Sequence, residues 1–224
     1  MELIKLKGHT YYIPGATNVG VYRFKNGFCM LIDSGIDNTA GKRILELLSK
    51  ENLKVKYILN THAHPDHFGA NAYIKEVHTG TLIGASKSSK IFMENSSLEG
   101  MLLYGASPMP GLSARFVKAK HTPVDIELYP GSLELLDKIF KIIELKGHSF
   151  DQVGIATEDN VLFCGDAFFS EEKMAKYPFP FVFDVREHLN TLKSMMDTDY
   201  DYYVISYADQ IPKNPKALIQ KNLI

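Results

Sequence analysis

Three histidines and one aspartate fall within six consecutive residues, and this cluster constrains the chain more strongly than any other feature of its sequence. The cluster consists of His62, His64, Asp66 and His67. The apolar residues Tyr57–Leu59 precede it and are typical of a buried strand, while Pro65 has the fixed φ that suits the first position of a helix. The sequence therefore predicts that the cluster lies on a turn between a strand and a helix.

The spacing of these four side chains indicates a metal site. In an extended backbone, residues i and i+2 point to the same side, which places His62 next to His64, and the start of a helix turns Asp66 and His67 towards a neighbouring position. A single histidine is more often a solvated or hydrogen-bonded side chain, but four potential ligand residues on one loop favour metal binding. Neutral imidazoles and carboxylates suit zinc, iron and manganese, and zinc is the default expectation, with one or two ions.

The composition is that of an ordinary globular protein and excludes some functions. The chain has 224 residues, of which 45% are apolar and 23% are charged, and its formal net charge is −1. A nearly neutral chain has no basic field for nucleic acid. It contains neither the long uncharged apolar run of a membrane span nor the apolar core of a signal peptide. We therefore expect a single domain over residues 1–224, a cytoplasmic location, and no nucleic-acid or membrane partner.

Strand-like and helix-like segments alternate along the chain, which predicts an α/β fold. Strands are expected at residues 3–7, 10–13, 19–24, 28–32, 81–84, 133–136, 139–145 and 202–205, with others beginning near 153 and 161. Helices are expected at residues 39–50, 68–76, 86–94, 185–196 and 215–223. Cys29 and Cys164 lie in apolar strand-like runs, and we expect them to be buried free thiols.

Two segments lack a clear periodicity. Residues 96–122 are rich in Gly, Ser, Pro and Met, and a stretch of this length without helix or strand is typical of a lid or binding loop. We expect this lid to shape the substrate pocket. Residues Tyr177–Phe183 combine prolines with aromatic rings. They either form the interface of a homodimer or pack over the rim of the site, and the sequence leaves both alternatives open.

Three further stretches, together with the histidine cluster, resemble the motifs of one family. Asp33 follows a strand and precedes a turn, His148 follows Gly147 between two strands, and Asp166 ends a buried strand. A buried carboxylate is costly unless it is paired or binds a metal. In order and spacing, these residues resemble the motifs of the metallo-β-lactamase superfamily. The resemblance implies a four-layered αββα sandwich, in which two mixed sheets carry helices on their outer faces.

The resemblance also assigns roles to the candidate residues. It implies a first metal position formed by His62, His64 and His148, and a second formed by Asp66 and His67, with Asp166 bridging the two. Asp33 is expected to hold the histidine loop in position without binding the metal itself. Its alternative role is to cap the helix that follows it.

One motif of the family is incomplete. After the strand at residues 202–205 the superfamily usually places a histidine that binds the second metal, whereas this chain has Tyr207. Either Tyr207 supplies a phenol oxygen, or water completes the site, or the second position is occupied weakly.

The function that the resemblance implies is that of a metal-dependent hydrolase. A metal-bound hydroxide would attack an ester, thioester, lactone or amide of a small molecule, and Asp66 would orient the nucleophile. A β-lactamase is disfavoured because no export signal is apparent, and a glutathione-thioester hydrolase is disfavoured because the C-terminal region is short. The alternative is a metal-binding but catalytically weakened ligand-binding or regulatory protein, because Tyr207 replaces the usual histidine.

Overall fold

The computed structural model describes residues 1–109, 117–212 and 215–223, whose strands form two sheets. The first sheet contains, in spatial order, β1 (Ile4–Lys7), β2 (Thr10–Ile13), β3 (Val19–Arg23), β4 (Phe28–Ile32), β5 (Lys54–Leu59), β6 (Leu82–Ala85) and β7 (Ile126–Glu127). The second contains β12 (Tyr202–Ile205), β11 (Val161–Gly165), β10 (Val153–Ala156), β9 (Lys138–Glu144) and β8 (Gly131–Leu135). Both are mixed, because β4 to β7 run parallel in the first sheet and β11 pairs in parallel with β12 in the second.

Eight helices surround the sheets within the described residues. They are α1 (Asn38–Lys50), α2 (Pro65–Phe68), α3 (Asn71–Val77), α4 (Lys87–Glu94), α5 (Leu98–Tyr104), α6 (Glu171–Lys176), α7 (Val185–Met196) and α8 (Pro215–Asn222). None of these helices has both the length and the apolar character needed to cross a membrane. Cys29 and Cys164 are buried free thiols, as predicted.

Three apolar cores separate the layers. The core between the two sheets includes Tyr22, Met30, Phe140 and Phe163. On the outer face of the first sheet, strand residues pack against α1 and α3, as at Leu31, Ile58, Ile44, Leu48 and Ile74. On the outer face of the second sheet they pack against α7 and α8, as at Leu162, Tyr203, Leu192 and Ile219. The sandwich of four layers that was predicted, with helices outside two mixed sheets, is therefore confirmed.

The first long helix shows how local sequence sets an element. Asp37 caps α1, because its side chain accepts a hydrogen bond of 3.0 Å from the backbone N–H of Ala40. Ile44, Leu45 and Leu48 then form one buried stripe against the first sheet. The cap that was considered for Asp33 is thus supplied by Asp37, which leaves the carboxylate of Asp33 available elsewhere.

Two predictions about local structure were wrong. The helix expected at residues 68–76 is divided into α2 and α3 around Gly69. A Cβ on Gly69 would lie 2.0 Å from the carbonyl oxygen of Ile36, so the chain approaches a neighbouring backbone here more closely than a side chain allows. The lid expected at residues 96–122 is not without secondary structure, since α5 forms inside it and ends at Gly105, whose φ is 63°. Residues 110–116 of that lid lie outside the described part of the chain.

Parallel pairing brings the chemically important loops to one edge of the sandwich. Asp33 follows β4 and the histidine cluster follows β5, and these two strands are parallel neighbours. Asp166 and Tyr207 likewise follow β11 and β12, which are parallel neighbours in the second sheet. Because the carboxyl ends of parallel neighbours share one edge of a sheet, each sheet presents two such loops together. A hydrogen bond of 2.9 Å from the N–H of Val153 to the carbonyl oxygen of Thr61 joins the two sheets there.

Candidate metal centre

Asp33 holds the histidine loop through both oxygens of its carboxylate. One oxygen accepts a 2.8 Å hydrogen bond from the N–H of Thr61, and the other accepts one of 2.8 Å from the hydroxyl of Thr61. The second oxygen also lies 2.8 Å from Nδ1 of His67. Asp33 adopts a left-handed backbone with φ of 62°, which is uncommon for a residue with a side chain, so these contacts outweigh a local strain.

Three imidazole nitrogens converge on one point. Nδ1 of His64 lies 3.0 Å from Nε2 of His62 and 2.9 Å from Nε2 of His148. Three lone-pair donors at this separation are the arrangement of a three-histidine metal position. The potential ligand atoms of these three residues all lie within 4.8 Å of one another.

A second group of donors lies directly beside the first. It consists of His62, His67 and Asp166, whose potential ligand atoms also lie within 4.8 Å of one another. Asp166 faces both groups, because Oδ1 is 3.4 Å from Nε2 of His67 and Oδ2 is 3.3 Å from Nε2 of His148. Asp66 completes the surroundings, with Oδ2 located 3.7 Å from Nε2 of His67. The structure thus brings together all six residues that the sequence predicted as ligands.

Two atoms of this group test whether a metal fits. Nε2 of His67 and Oδ1 of Asp166 are buried, and neither has a hydrogen-bond partner of acceptable geometry among the described residues. A buried polar atom without a partner is costly, and a bound cation removes that cost. Imidazole nitrogen and carboxylate oxygen are also the donors that zinc prefers. The residues present therefore fit a metal ion.

Each histidine is fixed through the ring nitrogen that faces away from the centre. Nδ1 of His62 lies 3.0 Å from the hydroxyl of Thr61, and Nδ1 of His148 lies 2.9 Å from the carbonyl oxygen of Phe181. Nε2 of His64 lies 3.5 Å from Oε1 of Glu99. With the contact of His67 to Asp33, all four rings have an outer partner, which is the arrangement that orients histidines as metal ligands.

The environment keeps the first group of histidines neutral. Burial lowers the pKa of His62 and of His64 well below the ordinary value, and the neighbouring histidines lower it further. Burial also lowers the pKa of His148, although Asp166 opposes that shift. Since a metal binds the neutral imidazole, these three rings are ready to act as ligands near neutral pH.

His67 behaves differently because carboxylates surround it. Burial alone would lower its pKa, but Asp166, Asp66 and Asp33 outweigh burial and raise the pKa well above the ordinary value. In the same way, His67 and His148 overcome burial and lower the pKa of Asp166. The carboxylates around His67 thus favour positive charge at this position.

Glycines allow two of the ligands to take their positions. Gly147 precedes His148 with φ of 120°, and a Cβ there would lie 2.2 Å from the backbone nitrogen of His188. Gly165 precedes Asp166 with φ of 56°, and a Cβ there would lie 2.8 Å from the hydroxyl oxygen of Thr61. Only glycine suits both demands, a left-handed backbone and close contact with a neighbour.

Comparison with known proteins identifies the family. Residues 12–207 match the model of the metallo-beta-lactamase superfamily. The chain belongs to this superfamily. The resemblance predicted from the sequence motifs is thereby confirmed.

Curated relatives in the superfamily share part of the chain. Hydroxyacylglutathione hydrolase 1 of Vibrio vulnificus is 30% identical over 135 residues, which are 60% of this chain and 42% of that protein. Hydroxyacylglutathione hydrolase GloC of Haemophilus influenzae is 30% identical over 140 residues, which are 62% of this chain and 60% of that protein. The matched region is less than two thirds of either relative's length.

Solved structures of the superfamily share the fold over most of the chain. The B3 metallo-β-lactamase BLEG-1 superposes with a TM-score of 0.72 at 21% identity, covering 92% of this chain and 95% of that one. BJP-1, a subclass B3 metallo-β-lactamase of Bradyrhizobium japonicum, also gives a TM-score of 0.72 at 21% identity, covering 98% of this chain and 89% of that one.

Tyr207 follows β12 and contacts Asp66. Its hydroxyl donates a hydrogen bond to Oδ2 of Asp66, and the ring lies under the ammonium of Lys173, 4.1 Å from the ring centroid. Burial, together with Asp166 and Asp66, raises the pKa of Tyr207. Tyr207 is therefore a neutral phenol that holds Asp66.

Glu99 lies at the candidate centre, although no motif in the sequence predicts it there. It lies on α5, is buried, and has a pKa raised to about 7 by burial and by Asp66. The signal in the sequence is that Glu99 is the only charged residue between Glu94 and Arg115. An isolated acid in an apolar stretch indicates a buried partner.

The aromatic segment Tyr177–Phe183 lies over the rim of the centre. The carbonyl oxygen of Phe181 contacts His148, and its ring centroid lies 5.5 Å from that of His64. Of the remaining histidines, His121 is exposed and is not part of either donor group. His188 is buried, and its backbone lies against Gly147.

Proposed function

We propose that the chain is a metal-dependent hydrolase that cleaves a thioester or ester of a small molecule. The observation that carries the proposal is the pair of donor groups that share His62 and face one another across Asp166. A zinc ion bound there supplies a nucleophile derived from water near neutral pH and polarises the substrate carbonyl.

The proposal assigns a role to each residue of the centre. His62, His64 and His148 would hold one ion, and His67 with Asp66 would hold a second, with Asp166 between them. The carboxylate of Asp66 reaches the open cleft, where it can orient a water molecule and accept its proton. Tyr207 restrains that carboxylate through its hydrogen bond.

The relatives support a thioester as the substrate class. The curated relatives at about 30% identity in the comparison are hydroxyacylglutathione hydrolases, whose names describe cleavage of an acyl group from glutathione. This support outweighs the expectation, drawn from the short C-terminal region, that a glutathione-thioester hydrolase is disfavoured. The matched region is only part of each relative. The thiol that leaves from the substrate of this chain is therefore part of the proposal and is not carried over from the relatives.

A second candidate is a metal-binding protein with little hydrolytic activity. The observation that favours it is the hydrogen bond from Tyr207, which occupies the carboxylate oxygen of Asp66 that a water molecule or a second ion would otherwise use.

Hydrolysis by the zinc-loaded chain separates the two candidates. Thioesters and oxygen esters with a common acetyl group would be assayed with the native chain, Asp66→Asn and a control, His121→Ala, whose side chain is exposed and does not line the cleft. We expect thioester cleavage by the native chain and the control, and a loss of at least about a hundredfold in Asp66→Asn. Full zinc content with no cleavage of any ester would favour the binding protein instead.

A further inference from the structure

An exposed apolar surface surrounds the mouth of the candidate metal centre. One side is α5, on which Leu102 and Leu103 are 40% and 39% exposed. The other side is the segment Tyr177–Phe183, in which Phe179 is 95% exposed and Phe181 is 45% exposed. Exposed apolar groups of this size cost free energy in water, and when they are contiguous they commonly mark a binding surface.

The two sides form the walls of one cleft that ends at the metal ligands. Leu103, Phe179 and Phe181 line a cleft of about 520 Å³ together with His64 and His148. This volume lies within the range of roughly 300–1,000 Å³ that small-molecule sites occupy. The ring centroid of Phe181 is 5.8 Å from that of His148, so the apolar wall begins at the ligands themselves.

Few charged side chains line the cleft among the described residues. Away from the ligands and Glu99, Lys173 is the only charged side chain among the described residues that line it. The ammonium of Lys173 lies over the ring of Tyr207, beside the second donor group. Among the described residues, Leu103, Phe179 and Phe181 thus offer an apolar wall to a molecule in the cleft.

Resting on the proposed hydrolase function, we infer that the substrate carries an extended apolar acyl group. Its carbonyl carbon would lie at the candidate metal centre, and its chain would lie between Leu103 and Phe179. Leu103 and Phe179 would then determine the preference for acyl length, because each methylene buried against them adds favourable transfer free energy. A surface that joins the reacting centre without interruption is better explained by substrate than by a partner protein or a membrane.

A series of thioesters with one leaving group tests this inference. N-acetylcysteamine thioesters from acetyl to octanoyl would be hydrolysed by the zinc-loaded native chain, by Leu103→Ser and by Phe179→Ser. The control is Ile139→Ser, because Ile139 is an exposed apolar residue on β9 outside the cleft. We expect kcat/KM of the native chain and the control to rise by about threefold per methylene, and the two cleft variants to show a much smaller rise.

Binding of S-alkyl thioethers of N-acetylcysteamine, measured by equilibrium dialysis, provides a readout that needs no turnover. We expect the octyl compound to bind the native chain at least roughly tenfold more tightly than the ethyl compound, and Leu103→Ser to remove that difference. If acetyl and octanoyl thioesters are cleaved with equal kcat/KM, the acyl inference fails and the hydrolase proposal stands. If neither thioesters nor oxygen esters are cleaved but thioether binding depends on chain length, the hydrolase proposal fails and the apolar cleft stands.

The molecular mass in solution tests the competing use of the same surface. If the native chain is a dimer and Phe179→Ser is a monomer, with an unchanged dependence on acyl length, the apolar surface is an interface and the inference is overturned. An unchanged mass together with a lost dependence on acyl length supports it. Vesicles of phosphatidylcholine provide the same comparison for a membrane, since binding that Phe179→Ser abolishes without any change in acyl preference would also overturn it.

Discussion

At the candidate metal centre, a side chain that faces the centre is held in position by a second side chain behind it. His67 is held by Asp33, and His64 is held by Glu99. The sequence allowed a prediction of the support from Asp33, because that aspartate stands in a recognisable motif. It did not predict Glu99, because the contact depends on where α5 packs, and α5 contacts the centre from a distant part of the chain.

The role of Glu99 leads to a prediction about metal affinity. Glu99→Ala removes the outer partner of His64, so the ring is less well oriented and zinc binding at the first position is expected to weaken by about 10- to 100-fold. Glu99→Gln keeps a hydrogen-bond acceptor and is expected to weaken binding less. Zinc affinity would be measured by competition with a chelator, with Glu46→Ala as the control because Glu46 is exposed on α1. Equal affinity in all four proteins would exclude an orienting role.

Tyr207 leads to a prediction about the second metal position. Tyr207→His restores the donor that the superfamily usually has there, so the second zinc is expected to bind at least about tenfold more tightly than in the native chain. Tyr207→Phe removes the hydrogen bond to Asp66 and adds no donor. A titration with zinc would compare the three proteins. If Tyr207→Phe binds the second ion as the native chain does, the phenol is not a ligand.

His188 leads to a prediction about pH. Burial and His148 lower its pKa to about 4, whereas an unfolded histidine ionises at about pH 6.5. The unfolded state therefore binds more protons over this window, and the stability that neutral His188 provides above about pH 6.5 is lost as the pH falls towards 4.

His188→Leu removes that linkage. The free energy of unfolding would be measured by urea denaturation of the metal-free chain at about pH 7 and about pH 5. We expect the decrease between these two values to be smaller in His188→Leu than in the native chain by about 1–2 kcal/mol. An identical decrease in both proteins would mean that His188 is already ionised, or accessible to solvent, in the folded state.

The elements of the fold differ in how far the sequence determines them. β2, β4, α7 and β12 have the bounds predicted from the sequence, because each is an apolar run or stripe that the fold buries. The break at Gly69 and the presence of α5 were not predictable in the same way. Both involve contacts between residues far apart in the sequence. Gly69 lies against the carbonyl oxygen of Ile36, and α5 contacts His64 through Glu99.

The turn at Gly147, before His148, leads to a prediction about stability and zinc binding. Gly147→Ala places a Cβ 2.2 Å from the backbone of α7 and also strains a φ of 120°. We expect a loss of more than about 2 kcal/mol in the free energy of unfolding and weaker zinc binding, because His148 is displaced. Gly131→Ala is the matched control, since Gly131 has φ of 127° and nothing lies within 4 Å of the added Cβ. Equal losses in both variants would show that strain alone, and not contact with α7, limits residue 147.

In the whole molecule, the two sheets contribute different halves of one centre. The first sheet presents the loop with His62, His64, Asp66 and His67, and the second presents the loops with His148 and Asp166. The sequence predicted that these residues meet only through its resemblance to the superfamily. Periodicity alone gives no register between two sheets, so it cannot show that His148 lies 2.9 Å from His64.

Metal content is the measurement that tests this assembly most directly. The native chain, His148→Ala and His121→Ala would be purified, exposed to zinc, dialysed and subjected to elemental analysis. Because His148 follows a strand of the second sheet and His121 is exposed and outside both donor groups, the two variants separate the centre from adventitious binding. We predict at least about one zinc per chain in the native protein and in His121→Ala, and a clear loss in His148→Ala. Absence of zinc from the native protein, or equal zinc in all three, would contradict the existence of the metal centre.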